Sequence, residues 1–342
     1  MGRVREDGAL PSPEQCGQGK SPAMADSSPS HPASSSALRP FLMLGLVMLF
    51  WAGNSIVGRA VRADIPPFTL AFGRWVIAVL FVAPLALPKL RAQWPQVRAR
   101  AGWLVLLGFL GVVCFNSFVY SGLHHTSATN ALLLQAAVPT CVLLFDFLLF
   151  RGRPAGLQVA GVAVSTLGVL FIVFRGDWAA VEALEIGGLG DALILCGVVC
   201  WAFYTVLLRK KPEVDAPVFV FLTFLLGAIA LAPLAAFEAA RGLTVAWSWP
   251  VVGAFVYVGL FPSVLAYFIY IAATMQLGPA RAGQGITLMP LFGALLSALL
   301  LGEDIALFHA VGMGLILAGI VLGAFALRAG AKSPVALRAP RG

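Results

Sequence analysis

The sequence has 342 residues, 60% of them hydrophobic and 11% charged, with a net charge of +8 at neutral pH. A soluble domain is about 45–50% apolar and roughly 25% charged, and no soluble core could hide this much apolar surface. Lipid is therefore the solvent for much of the chain, and the basic excess reads as membrane topology instead of a nucleic-acid surface.

Residues 1–37 form a polar stretch rich in Ser, Pro, Gly and Gln without apolar periodicity, which predicts disorder. It is not a signal peptide, because no short apolar core with a cleavage site precedes the first long run. Met24 offers a second start. Apolar runs then follow at 38–58, 67–87, 102–122, 127–150, 155–174, 189–208, 217–237, 249–271, 280–301 and 305–327. About 20 residues of helix cross the ~30 Å hydrocarbon layer. With ten crossings both ends share a face. That face collects eighteen Lys and Arg, from Arg3 to Arg341, and the other holds Arg59, Arg62, Arg175 and Arg241. The asymmetry predicts cytoplasmic termini. A linker at 175–188 separates five spans at 38–174 from five at 189–327, and a basic tail at 328–342 follows.

The two halves repeat. A shift of 150 residues aligns Trp51-Ala52 with Trp201-Ala202, Arg59 with Arg209 and Pro67 with Pro217. A shift of 151 aligns Gly108 with Gly259, Pro139 with Pro290, Gly161 with Gly312 and Gly168 with Gly319. Five spans per half is an odd number, so the second half enters the membrane upside down. The predicted fold is an all-α integral membrane protein, ten transmembrane helices as two inverted five-helix repeats. That architecture is the usual frame of secondary transporters, with a substrate site near the midplane; the competing reading is a duplicated scaffold that moves nothing.

Trp51-Ala52-Gly53-Asn54 in the first span, Pro66-Pro67 followed by Arg74 in the second, and Leu301-Gly302-Glu303 closing the ninth resemble the EamA permeases of the drug/metabolite transporter superfamily. The resemblance covers residues 40–327 and implies ten helices, a cytoplasmic N-terminus, a bacterial inner membrane and export of amino acids or similar metabolites. One departure stands out: Arg151-Gly152 in the first half faces Gly302-Glu303 in the second.

Polar groups inside a membrane are costly and need a reason. Trp51 and Asn54 share one helical face, and Trp201 and Tyr204 repeat it in the sixth span. Tyr120, Gln135, Tyr267, Tyr270 and Gln284 add further polar tips. These nine either line a central cavity suited to a small zwitterion or aromatic compound, or pack the helices together. Arg74 either snorkels outward or meets an anionic group. Asp146 is expected to pair with its neighbours Arg151 and Arg153, the alternative being a proton-carrying role. Glu303 either handles charge or ends its helix. Pro139 and Pro290 predict equivalent mid-span kinks. Gly312, Gly319 and Gly323 suit close helix packing, inside the chain or in a homodimer.

Two other readings are weighed. Gly188-Leu189-Gly190-Asp191 resembles the Gly-x-Gly-Asp motif of intramembrane aspartyl proteases, with Asp146 as the second carboxylate. Topology sets the two at opposite ends of the membrane, and an aspartyl dyad needs them about 3 Å apart; Asp191 is expected to be a helix cap instead. A channel would need a filter loop or a charged ring, and neither is in the sequence. Four of the five cysteines, Cys114, Cys141, Cys196 and Cys200, lie in apolar runs as packing residues. Neither a metal nor a cofactor is expected.

Overall fold

The computed structural model describes residues 35–61, 63–123, 125–126, 134–152, 154–177, 188–301 and 305–330. The described residues form helices and turns and no strand. Nine helices among them are long and apolar enough to cross a membrane, and Val138–Phe150 is a shorter apolar helix at the fourth predicted span. Large apolar side chains stand on the outside: Leu80 is 65% exposed, Leu299 80% and Leu307 81%. Such a surface is stable only against lipid.

In chain order the spans are Ser35–Ala60, Pro67–Ala99, Ala101–Gly108 continuing to Phe115–Leu123, Val138–Phe150 and Gly156–Val173 in the first half. The second half has Leu189–Leu207, Ala216–Ala240, Trp249–Gly259 continuing to Ala266–Leu277, Pro279–Gly285 with Leu288–Leu301, and Leu307–Gly330. Proline stands in the first turn of the second, seventh, eighth and ninth spans, where its missing N–H costs nothing. The second span differs from its predicted end at residue 87. It runs for 33 residues, about 50 Å at 1.5 Å per residue. Lys89, Arg91 and Arg98 therefore ride on helix beyond the apolar zone and not on a loop. Lys89 Nζ reaches Asp215 Oδ2 at 2.7 Å, and Gln93 Oε1 accepts the Asp215 N–H at 2.8 Å. Lys89, and after it Gln93, holds the Asp215 carboxyl below the usual carboxylate range. The pair therefore stands at neutral pH and is lost as pH falls through that lowered value.

Packing obeys the two-fold relation that the sequence shift implies. The second span packs on the seventh and the fifth on the tenth. The last part of the third lies on the sixth, and its counterpart in the eighth lies on the first. The fourth lies on the sixth, and the second segment of the ninth on the first.

The third and eighth spans each widen into one π-helical stretch, Phe109–Cys114 and Leu260–Leu265. The two stretches are related residue for residue by the shift of 151. Both close with the same i→i−5 bond, from Phe115 N–H to Leu110 O and from Ala266 N–H to Phe261 O. The expected kinks at Pro139 and Pro290 are instead complete interruptions. The helix turns at Ala136–Ala137 and at Ile286–Thr287, and each proline sits in the first turn of the helix that follows. Proline has no N–H to bond the carbonyl four residues back, so the helical ladder is interrupted just upstream and each proline falls in a first turn, where the donor is not needed.

The fifth and tenth spans cross backbone on backbone. A Cβ on Gly161 would stand 2.6 Å from Gly319 O, and one on Gly168 would stand 2.7 Å from Gly312 O. These two contacts are images of one another under the repeat. The small-residue pattern of the tenth span thus serves a crossing within the chain. Gly161→Ala and Gly319→Ala are each expected to destabilise by about 1–3 kcal/mol through overpacking. Gly314→Ala, in the same tenth helix with nothing within 4 Å, should hold or raise the midpoint of thermal unfolding in detergent, since alanine is the better helix residue where nothing clashes.

Glu238, 5% exposed near the end of the seventh span, caps a different helix. Its carboxylate accepts from Phe68 N–H at 2.9 Å, Thr69 N–H at 2.7 Å and the Thr69 hydroxyl at 2.8 Å. These are otherwise unpaired donors at the positive end of the second span. Glu238→Ala should cost about 1.5–3 kcal/mol, with Glu238→Gln between it and the parent in the same melting measurement.

Candidate functional site

An aromatic cluster fills the seam between the halves. Trp51 of the first span meets Trp201 of the sixth edge-on, ring centroids 5.2 Å apart. Tyr270 stands 5.3 Å from Trp51 and 5.5 Å from Trp201. Tyr267 lies 6.3 Å from Trp51 and 6.1 Å from Trp201, and Tyr204 lies 5.2 Å from Trp201. Trp75 and Phe224 close the far side, 5.6 and 5.2 Å from Tyr267. Trp201, Tyr204, Tyr267 and Tyr270 are each less than 5% exposed. Gly111 makes room: a Cβ there would stand 2.5 Å from the Tyr204 ring.

Two polar tips of this cluster are spent on the π stretches. Trp51 Nε1–H donates to Pro262 O at 3.0 Å, and the Tyr267 hydroxyl donates to Gly111 O at 2.8 Å. Thr205 and Tyr270 share a hydroxyl bond of 2.9 Å. Trp201 Nε1 and Trp75 Nε1 are buried and complete no hydrogen bond.

Five of the nine predicted lining residues, Trp51, Trp201, Tyr204, Tyr267 and Tyr270, come together in this cluster. Asn54 is half-buried one turn beyond Trp51, and Gln135 is half-buried just before the break in the fourth span. The side chain of Tyr120 lies outside the described residues. Gln284 belongs elsewhere: its Nε2 donates to Gly319 O at 2.8 Å and Ser165 Oγ at 3.2 Å, which clamps the crossing of the fifth and tenth spans.

Arg74 is 5% exposed and does not snorkel. Its Nε–H donates to Ser263 Oγ at 3.0 Å, and its guanidinium stands 4.6 Å from the Trp75 ring centroid. Ser263 in turn donates to Val258 O at 2.7 Å, the carbonyl that loses its helical partner because Pro262 has no N–H. Among the described residues no carboxylate lies within ion-pair distance of Arg74. Of the two expected environments, the outer surface and an anionic group, the described residues supply neither.

Asp146 and Asp191 are each engaged by a side chain from elsewhere in the chain. Asp146 pairs with Arg209, whose guanidinium also covers the Phe150 ring at 4.1 Å; of the two expected partners, Arg151 is exposed and Arg153 lies outside the described residues. Asp191 is the third helical residue of the sixth span and not its cap, and it accepts the Thr126 hydroxyl. Arg209, beside Asp146, and Asp191 are eighteen residues apart along one helical span, about 27 Å at 1.5 Å per residue. An aspartyl dyad is thereby excluded for these two. Glu303 lies outside the described residues. Glu238 and Ser263 were missed: Glu238 reads as a span-end charge, and nothing in the sequence marks Ser263 as the anchor for Arg74. Among the described residues no group of His, Cys, Asp or Glu could hold a metal ion.

The EamA-like transporter family matches this chain twice, over residues 38–174 and 188–324. An uncharacterized transporter of Archaeoglobus fulgidus is 31% identical over 82% of this chain and 96% of its own length. The uncharacterized transporter YyaM of Bacillus subtilis is 26% identical over 68% of this chain and 76% of its own. A solved crystal structure aligns with a TM-score of 0.65 at 21% identity, covering 87% of this chain and 99% of that one, and shares the fold.

If Gln284 is a clamp, Gln284→Ala should lower the melting midpoint and leave the apparent affinity for any transported compound unchanged; loss of affinity at unchanged stability would return it to the site.

Proposed function

The chain belongs to the EamA-like transporter family, and from that premise we propose that it is an alternating-access carrier exporting amino acids or closely related metabolites across the inner membrane, with both termini cytoplasmic. The observation that carries the substrate class is Arg74. An intramembrane cation without a carboxylate is poorly compensated, and a substrate carboxylate supplies the missing charge. The neighbouring Trp51, Trp201, Tyr267 and Tyr270 offer the apolar faces that a small side chain needs. Asn54, Gln135 and Tyr204 are candidates for the ammonium end. The interrupted fourth and ninth helices, placed alike in both halves, fit a site at the midplane. No charge relay recommends itself, since Asp146 is held by Arg209.

Counterflow in proteoliposomes with labelled amino acids, with and without a proton gradient, tests the reading. Saturable exchange of one class is expected, and the decarboxylated amine of the best substrate should not compete. Arg74→Gln should weaken apparent affinity by roughly thirtyfold or more, as truncating one partner of a buried charge pair does. No flux for the whole panel from folded protein would remove the amino acid assignment.

A further inference from the structure

The repeat makes Gly111 O and Pro262 O equivalent positions, each in the middle of its π stretch. It also makes Trp51 and Trp201 equivalent, and both indoles belong to the central cluster. Symmetry would give each indole one of these carbonyls. In this structure it is broken. Trp51 Nε1–H holds Pro262 O at 3.0 Å. Gly111 O is taken instead by the Tyr267 hydroxyl at 2.8 Å. Trp201 Nε1, buried, is left without a hydrogen bond; the Tyr270 ring stands 5.5 Å from the indole, with its hydroxyl engaged by Thr205 at 2.9 Å. The residue equivalent to Tyr267 is Asn116, which donates to Val112 O of its own helix at 2.7 Å and competes for neither carbonyl.

We propose that the two indoles are a reciprocal switch: Trp51 on Pro262 O marks one access state, and Trp201 on Gly111 O, with Tyr267 displaced and Trp51 released, marks the other. The switch rests on the alternating-access reading above, in which the halves exchange conformations. Its chemistry is the satisfaction of a buried donor. An unpaired N–H inside the membrane is unfavourable, but each state leaves one indole N–H unpaired, so the exchange breaks one such bond as it makes the other and adds no further unpaired indole. Tyr267 is the latch that holds this structure's state, because it occupies the carbonyl that Trp201 needs.

The test is hydrogen–deuterium exchange of the full chain in nanodiscs, comparing helix ends on the basic face (residues 99–101, 208–216 and 277–279) with those opposite (residues 61–67, 174–177 and 240–249). Tyr267→Phe and Trp51→Phe each remove a bond of the observed state. Both should shift the ratio of states on the order of fivefold, with exchange rising on one face and falling on the other. Trp201→Phe should move both faces in the opposite sense. Tyr267→Phe combined with Trp201→Phe should return toward the parent, a restoration that mere loss of packing cannot produce. Exchange rising on both faces together, no change in any variant, or a double variant that fails to reverse would overturn the switch. Counterflow by the parent separates the two readings: flux without reciprocal exchange sinks the switch alone, and no flux for any compound sinks the carrier.

Discussion

A backbone carbonyl released inside a membrane must find a donor, because no water is there to supply one. This chain releases such carbonyls twice, at equivalent places, by widening the third and eighth helices into π stretches. Both are answered by aromatic side chains from the other repeat: Trp51 reaches into the eighth helix and Tyr267 into the third. The bonds therefore cross the seam between the halves. They fix how close the first span stands to the eighth and the eighth to the third, and they place the aromatic cluster where the repeats meet. Arg74 is drawn into the same arrangement through Ser263, which covers the carbonyl that Pro262 cannot.

Away from the seam the halves are joined by contacts of another kind. Gly161, Gly168, Gly312 and Gly319 let two helices touch backbone to backbone, and any side chain there would meet a carbonyl that cannot move aside. Glu238 fastens the end of the seventh helix to the start of the second, and Lys89 with Asp215 does so at the opposite end of that pair. Rigid crossings at 5/10 and 2/7 flank a centre held by a few hydrogen bonds. A carrier of this build would be expected to move where the bonds are few and exchangeable, and to stay fixed where backbones touch.

Much of this was legible in the sequence for a definite reason. Features that the backbone itself demands survive duplication visibly, so the shift of 151 residues picked out the glycines that touch and the prolines beside both helix breaks. The Trp-Ala pair gave the first and sixth helices, and with them the heart of the cluster. The π stretches were not legible, since an i→i−5 bond leaves no hydrophobic period of its own. Glu238 was passed over because an acid near a span end looks solvated, and its true partners, the N–H groups of Phe68 and Thr69, are about 170 residues away. Arg209 was not legible as a partner of Asp146, because it is 63 residues away and only the end of the sixth span brings it alongside.

The duplicated backbone and the divergent lining answer to different demands. The first half places Asn54 and Asn116 where the second places Tyr204 and Tyr267. The glycine crossings and π stretches are shared, because two states of equal standing need two halves able to take each other's shape. The lining has no such need. On the proposed function the cargo carries a carboxylate at one end and is not symmetric, which fits one half offering Arg74 and amides where the other offers Tyr204 and Tyr267. An identical pair of latches would also make the two states equal in energy in the absence of cargo. In the proposed switch Tyr267, with only Asn116 opposite it, breaks that equality: its bond to Gly111 O would favour one state by the worth of a buried hydrogen bond, about 1 kcal/mol. A bias of that size sets a resting state yet remains within reach of the differential binding energy of a small substrate.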